Sequence, residues 1–213
     1  MSVHKKLGEI VLDEVNHVFL PANGQKIHLV SLNEGSKAAD PTPFLLLHGF
    51  PECWYSYRYL MPLLAKPNSR DETKKANTHR KYSENKIYAM DLRGYNKSSK
   101  PKGVKNYRLS ELVKDVGSVI DQISPTGKVY LVGHDWGGAL SWQVARIFPD
   151  RLKSLFVLNC PPVEVLFKGI FTVPKQLLQS YYVFFFQLPI VPETVFRRFN
   201  LIEKMYEQTI GPD

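Results

Sequence analysis

Short, unbroken apolar runs alternate with amphipathic stretches through most of the chain. Phe44–Leu47, Ile87–Met90, Val129–Val132 and Leu155–Leu158 are apolar throughout. Such runs suit strands of a parallel sheet, which helices cover on both faces. Upstream, two β-rich runs, Val15–Leu20 and Lys26–Leu32, flank Pro21-Ala22-Asn23-Gly24-Gln25. Asn and Gly tolerate the positive φ of a tight turn, so this segment predicts an antiparallel hairpin. Between the later strands, Leu112, Val113, Val116, Val119 and Ile120 recur at helical spacing. They predict a helix capped by Ser110 and running to about Ile123. A second helix is expected from Gly137 to about Phe148, stopping at Pro149. Strand and helix in this alternation predict an α/β fold, with a mostly parallel sheet and an N-terminal antiparallel hairpin.

Two segments depart from the alternation. Lys66–Asn85 is polar, charged and without period, and reads as a long mobile surface loop inserted in the core. From Pro161 onward the chain becomes aromatic and punctuated by proline, with Phe167–Val173, Tyr181–Phe186 and Val195–Phe199 as short helices. The expected organisation is therefore a core over residues 1–160, carrying the 66–85 insertion, and a partial helical cap or lid over 161–213.

Composition narrows the picture. The chain has 213 residues, 44% hydrophobic and 23% charged, which excludes a disordered or coiled-coil protein. Its net charge of +8 suggests an anionic partner, but residues 66–105 hold twelve basic side chains against four acids. That one stretch accounts for the whole excess. It lacks interleaved stacking aromatics, so a solvated loop is expected and no nucleic-acid partner. Two cysteines, Cys53 and Cys160, point to a reducing compartment and a cytoplasmic location. Met1–Glu14 has no continuous apolar stretch and does not read as a signal peptide. No run reaches the ~18–20 apolar residues needed to span a bilayer. The nearest, Tyr181–Val191, is interrupted by Gln187 and Pro189. A membrane anchor ahead of the present N-terminus would change the location to membrane-associated.

The chemistry sits where the strand Val129–Val132 runs into Gly133-His134-Asp135-Trp136-Gly137-Gly138. A strand, a glycine-flanked turn and an immediate helix have the form of a nucleophile elbow. Here the central residue is aspartate. A carboxylate is ionised at neutral pH, its unperturbed pKa being about 4. It can displace a leaving group at a saturated carbon directly, giving an ester of the enzyme that activated water must then hydrolyse. The plainer reading of Asp135 is a helix N-terminal carboxylate, favoured there by its charge.

A second motif weighs against that plainer reading. His48-Gly49-Phe50-Pro51 follows the strand Phe44–Leu47. In such sheets this loop lies beside the elbow and supplies one backbone N–H of an oxyanion hole. Phe50 is placed to give that N–H, and Trp136 the other. His48 reads as a structural histidine bonded to loop backbone, and His134 as pointing away from the attacking position.

Together, His48-Gly-Phe-Pro-Glu-Cys-Trp-Tyr-Ser-Tyr-Arg58, Ala89-Met-Asp-Leu-Arg-Gly-Tyr95, Ser98-Ser99-Lys-Pro101 and Gly133–Gly138 carry a resemblance. The chain resembles the epoxide hydrolases of the α/β-hydrolase superfamily, the soluble type in particular. The resemblance implies an α/β-hydrolase fold and Asp135 as nucleophile. It also implies a small-molecule epoxide, lipid or xenobiotic, as substrate, with neither cofactor nor metal. It places at Tyr182, beside Tyr181, one of two lid tyrosines that hydrogen-bond the epoxide oxygen; lid packing is the plainer role for Tyr182. Where the family has glycine after Asp-x-Arg-Gly-Tyr, this chain has Asn96, which also tolerates positive φ.

The resemblance also exposes what the 213 residues lack. The base and its orienting acid should follow the nucleophile, yet no histidine follows His134. The chain is thus expected to be a fragment or short form with its C-terminal strands missing, leaving Leu155–Leu158 at an open edge. Two other readings stay open: a haloalkane dehalogenase, with Trp136 holding the halide, and a non-catalytic binding protein on a hydrolase scaffold. Tyr182 and Phe50-Pro51-Glu52 favour the epoxide, whereas Trp136 disfavours fluoroacetate dehalogenases, which typically carry arginine there.

Overall fold

The computed structural model describes residues 15–34, 42–65, 85–125, 127–173, 175, 181–186 and 188–210. The insertion expected over 66–85 and the N-terminal segment fall outside them, save Asn85. The chain divides into two compact units, Met1–Pro161 and Pro162–Asp213.

The first unit is built on a six-stranded sheet. Its strands are β1 (Asn16–Ala22), β2 (Gln25–Leu32), β3 (Phe44–Leu47), β4 (Ile87–Met90), β5 (Val129–His134) and β6 (Leu152–Leu158), in the spatial order β1-β2-β4-β3-β5-β6. β1 and β2 form the hairpin, turning through Asn23 (φ +47°) and Gly24 (φ +72°), and β2 meets β4 antiparallel. From β4 through β3 and β5 to β6 the pairing is parallel.

The unbroken apolar runs are explained by burial on both faces. Leu45, Leu47, Tyr88, Met90, Val129 and Leu131 point to one side, into a core closed by α2 (Leu109–Ile123) and α3 (Trp136–Ile147). Leu46, Ile87, Ala89 and Val132 point to the other, against Trp54, Tyr57 and α1 (Leu60–Ala65). Burial of Tyr88 pushes its phenol up to about 12. β6 is different: it ends the sheet, and Phe156 and Leu158 are exposed. Leu152 and Ser154 pair with Val129 and Tyr130 of β5, with Lys153 at a register shift between them, although the apolar pattern begins only at Leu155, because an edge strand tolerates outward polar side chains.

Ser110 does not cap α2. The helix starts at Leu109, with extended Arg108 as its N-cap, and the Arg108 carbonyl accepts from Glu111 N and Leu112 N. The backbone turns helical before Ser110 is reached, so its hydroxyl lies inside the first turn. α2 is tied to the β4 loop by a buried ion pair: Arg93 donates to both carboxylate oxygens of Asp115, at 2.8 and 2.5 Å, and to the Asn106 carbonyl at 2.7 Å.

The second unit is helical where described: α4 (Val163–Thr172), α5 (Tyr181–Phe185), α6 (Val191–Phe199) and α7 (Leu201–Ile210). α6 ends in a left-handed Asn200, and Phe186 and Phe196 pack ring on ring. No helix among the described residues is long and apolar enough to cross a membrane.

Candidate active site

The parallel register of β3 and β5 pairs Leu47 with Gly133. The two strands therefore end side by side, and the residues that follow them meet. Asp135 sits at the turn with φ +51° and ψ −118°, a strained conformation for a residue with a side chain. The turn is held on both sides. Asp135 N donates to the Leu158 carbonyl of β6, and the Asp135 carbonyl accepts the first helical hydrogen bond of α3 from Ala139 N.

The glycines mark close approaches. A Cβ on Gly49 would lie 2.6 Å from the Asp135 Cβ, and one on Gly133 would overlap the Gly137 carbonyl and the Ser141 hydroxyl. A Cβ on Gly137 would overlap the carbonyls of Leu47 and His48, and one on Gly138 would come within 2.8 Å of Cys160 Cβ. The β3 turn and the start of α3 thus touch backbone to backbone.

That contact brings Phe50 N–H to Asp135, where it donates to Oδ1 at 2.9 Å. Asp135 is half-buried. Trp136 opens α3 directly after Asp135, with its indole 55% exposed. The Phe50–Pro51 peptide bond is cis.

His48 is fully buried. Its Nδ1 donates to the Gly49 carbonyl (2.8 Å) and its Nε2 accepts from Leu92 N (3.1 Å), so both ring nitrogens serve the backbone. Burial holds its pKa below the usual value. His134 pairs through Nδ1 with Glu52 Oε2 at 3.3 Å, and its Nε2 lies 3.4 Å from the Asn159 amide. Glu52 also accepts Gly49 N–H at 3.2 Å. A Glu52–His134–Asn159 chain therefore braces the loop that presents Phe50. Sequence reasoning did not find this brace. Glu52 was visible only as part of a motif, and its partner lies 82 residues away.

Asp91, at the end of β4, is a second unforeseen support. Its carboxylate takes His28 Nδ1 at 2.6 Å, Trp54 N at 2.9 Å and the Asn96 amide at 2.8 Å. Burial opposes its charge, but these donors and the neighbouring histidines hold it below the ordinary carboxylate range. Asn96 adopts φ +36°, so it both makes the turn and serves the carboxylate. Cys160 is half-buried, and burial together with the charge of Asp135 raises its thiol. Among the described residues no cluster of three or more His, Cys, Asp or Glu side chains could hold a metal ion. Tyr182 lies on α5 of the second unit, and its side chain is outside the described residues.

An aspartate on a strained strand–helix turn thus faces a backbone N–H from the neighbouring strand's loop, at the carboxyl end of a parallel sheet covered on both faces. The chain belongs to the α/β-hydrolase fold family, whose model matches residues 42–191. Within that family it is similar to epoxide hydrolases. It is 37% identical over 180 residues to epoxide hydrolase 4 of Homo sapiens, covering 84% of this chain and 44% of the relative. Epoxide hydrolase 1 of Caenorhabditis elegans is 36% identical over 169 residues, covering 79% of this chain and 37% of the relative. Among solved structures, epoxide hydrolase VrEH1 from Vigna radiata superposes with a TM-score of 0.68 at 26% identity, covering 94% of this chain and 58% of that one. The chain thus spans less than half the length of these two curated relatives.

Proposed function

We propose that these residues carry the nucleophile half of an epoxide hydrolase. The observation that carries the reading is the 2.9 Å hydrogen bond from Phe50 N–H to Asp135 Oδ1. It fixes one carboxylate oxygen and leaves the other free to attack. The free oxygen forms a bond to an epoxide ring carbon while that carbon's bond to the ring oxygen breaks, giving an alkyl ester on Asp135. The ring oxygen leaves as an alkoxide and takes a proton; Tyr182, on the family resemblance, is the proposed donor from the second unit acting as a cap. In the following hydrolysis, charge develops on the oxygen already facing Phe50. The N–H groups of Phe50 and Trp136 are then the proposed oxyanion hole.

Hydrolysis of that ester needs a base to take a proton from water. His48 is committed to backbone, and no histidine follows His134. These 213 residues by themselves are therefore proposed to stop at the ester. The kind of substrate is a small-molecule epoxide, supported by the epoxide hydrolase names of the relatives.

The test is intact mass and peptide mapping after incubation with styrene oxide. The expected result is one added epoxide mass on the peptide containing Asp135, absent from D135N. Unmodified wild-type protein would sink the proposal, and continuous diol release would overturn its restriction to the first half-reaction. Bromide release from a 1-bromoalkane, with no epoxide adduct, would assign the site to dehalogenation.

A further inference from the structure

The loop from β4 to α2 carries a surface that the reaction does not use. From Leu92 to Ser110 the chain has six cations and no acid. Arg93 is buried in its ion pair with Asp115. The other five, Lys97, Lys100, Lys102, Lys105 and Arg108, are exposed, and none is in an ion pair with a described residue. In their midst Val104 is 88% exposed, and Leu109 is 45% exposed. An apolar side chain held out among cations that have no acidic partner among the described residues is placed to enter an interface that takes both.

The loop is built rather than slack. Ser98 Oγ donates to the Asp91 carbonyl (2.6 Å), and Gly94 N to the Ser99 carbonyl (2.9 Å). Ser99 and Lys26 exchange hydrogen bonds at 2.9 and 3.0 Å. Arg93 and the Asn106 amide fasten the far side, the latter to the Lys102 carbonyl at 2.7 Å. A pre-ordered surface loses little further entropy on binding. The loop also leaves the sheet at the carboxyl end of β4, the end at which β3 and β5 deliver Phe50 and Asp135.

We infer that Lys97–Leu109 docks the protein on an anionic lipid surface, its lysines against the headgroups and Val104 in the interfacial layer. Charge complementarity favours an anionic occupant, and the protruding valine favours lipid over nucleic acid. A nucleic acid would instead meet stacking aromatics interleaved with the cations. The inference does not depend on the epoxide reading.

The test is sedimentation of the full 213-residue chain with sucrose-loaded vesicles. Phosphatidylcholine vesicles containing roughly 30% phosphatidylserine, an amount on the order of that in anionic leaflets, are compared with phosphatidylcholine alone. Binding is expected only to the anionic vesicles and is expected to be lost in high salt. Removing one cation from such a surface costs about fivefold (~1 kcal/mol). The Lys100→Ala/Lys102→Ala/Lys105→Ala triple should thus weaken binding about a hundredfold by the same per-residue factor. The Lys128→Ala/Arg146→Ala/Lys153→Ala triple removes as much charge from the opposite end of the sheet and should bind within about threefold of wild type, since charges beyond a Debye length are screened. Val104→Trp, on an otherwise intact loop, should show a blue-shifted indole emission on anionic vesicles. Equal losses in the two triples overturn the inference, as does an unshifted Val104→Trp emission. It also falls if single-stranded RNA displaces the protein from vesicles while Val104→Asp binds them as wild type does.

Discussion

Replacing Gly137 by alanine sets two physical effects against each other with opposite signs. Gly137 is the second residue of α3, and alanine in a helix is favoured over glycine by about 1 kcal/mol. On helix propensity alone the variant gains stability. The added Cβ, however, would overlap the Leu47 carbonyl and come within 2.6 Å of the His48 carbonyl. Both are backbone atoms at the end of β3, in a strand buried on both sides, and neither can swing away. Overpacking of this kind costs about 1–3 kcal/mol where side chains can adjust, and more where they cannot. The expected balance is a net loss of about 2–4 kcal/mol, a fall in melting temperature of roughly 4–16 °C for a chain of this size. The same shift pulls α3 from the β3 turn and lengthens the contact between Phe50 and Asp135. Alkylation of Asp135 by epoxide should then fall about a hundredfold, the scale expected for a misplacement near 1 Å. Thermal melting by circular dichroism and the rate of adduct formation by mass spectrometry read the two effects. Gly138→Ala is the comparison: its Cβ would lie 2.8 Å from Cys160 Cβ and 2.9 Å from Val157 Cγ1, both less close than the approach of Gly137 to the Leu47 and His48 carbonyls, so its loss should be smaller. A Gly137→Ala protein that melts at or above the wild-type temperature and alkylates at the wild-type rate refutes the claim of backbone contact between the two turns.

Arg93→Met strands the buried carboxylate of Asp115 and should cost about 3–5 kcal/mol in urea unfolding, whereas adding Asp115→Leu should recover much of that; a double variant no better than the single would show that the pair is not what ties the β4 loop to α2. Glu52→Ala removes the acceptor of Gly49 N–H and the partner of His134, and is expected to slow Asp135 alkylation about tenfold with a melting temperature within a few degrees of wild type, while Glu52→Gln, which still accepts, retains most of the rate. Stability should fall with acid in two stages. His48 has a folded pKa below 6.5, so under that pH the unfolded chain binds a proton the folded one refuses; Asp91 has a folded pKa below 3.8 and acts likewise at lower pH. Melting temperature against pH should therefore be level near 7, decline below about 6.5 and steepen below about 4; His17, whose pKa burial also lowers, adds to the first decline, so His48→Gln should reduce that decline without abolishing it, and an unchanged first decline would remove His48 as a source.

The strands β3 and β4 were legible to the residue because a strand covered on both faces has no choice but to be apolar along its length. β6 was half legible, since its exposed Lys153 and Ser154 break that rule at the edge of the sheet. The start of α2 was misplaced because Ser110 offers a good local cap, while the chain enters the helix from a loop tied down by the Arg93–Asp115 pair nearly two turns further on. α1 is too short to display a period. At the site, the glycines and Asp135 could be read because each answers a local backbone constraint. The brace of Glu52 on His134 and the pairing of His28 with Asp91 join residues 82 and 63 positions apart, and no spacing rule connects them.

That division follows the two ways in which the site is held. The elbow is positioned by exclusion: Gly49, Gly133 and Gly137 let backbones approach until nothing else fits, and Asp135 is left facing Phe50. The loop that brings Phe50 is positioned by charge. Asp91 gathers Trp54 from the stretch after that loop, His28 from the hairpin and Asn96 from its own turn, while the next residue, Leu92, donates to His48. His28 in turn has its Nε2 2.9 Å from His17 Nδ1, so the network reaches from the sheet interior to the exposed face of β1. A buried carboxylate with several donors is stable only as a complete set, because removing any one leaves a desolvated charge or an unpaired N–H. The contact between Asp135 and the Phe50 N–H therefore depends on a second aspartate, Asp91, whose loss would act first on the placement of that N–H.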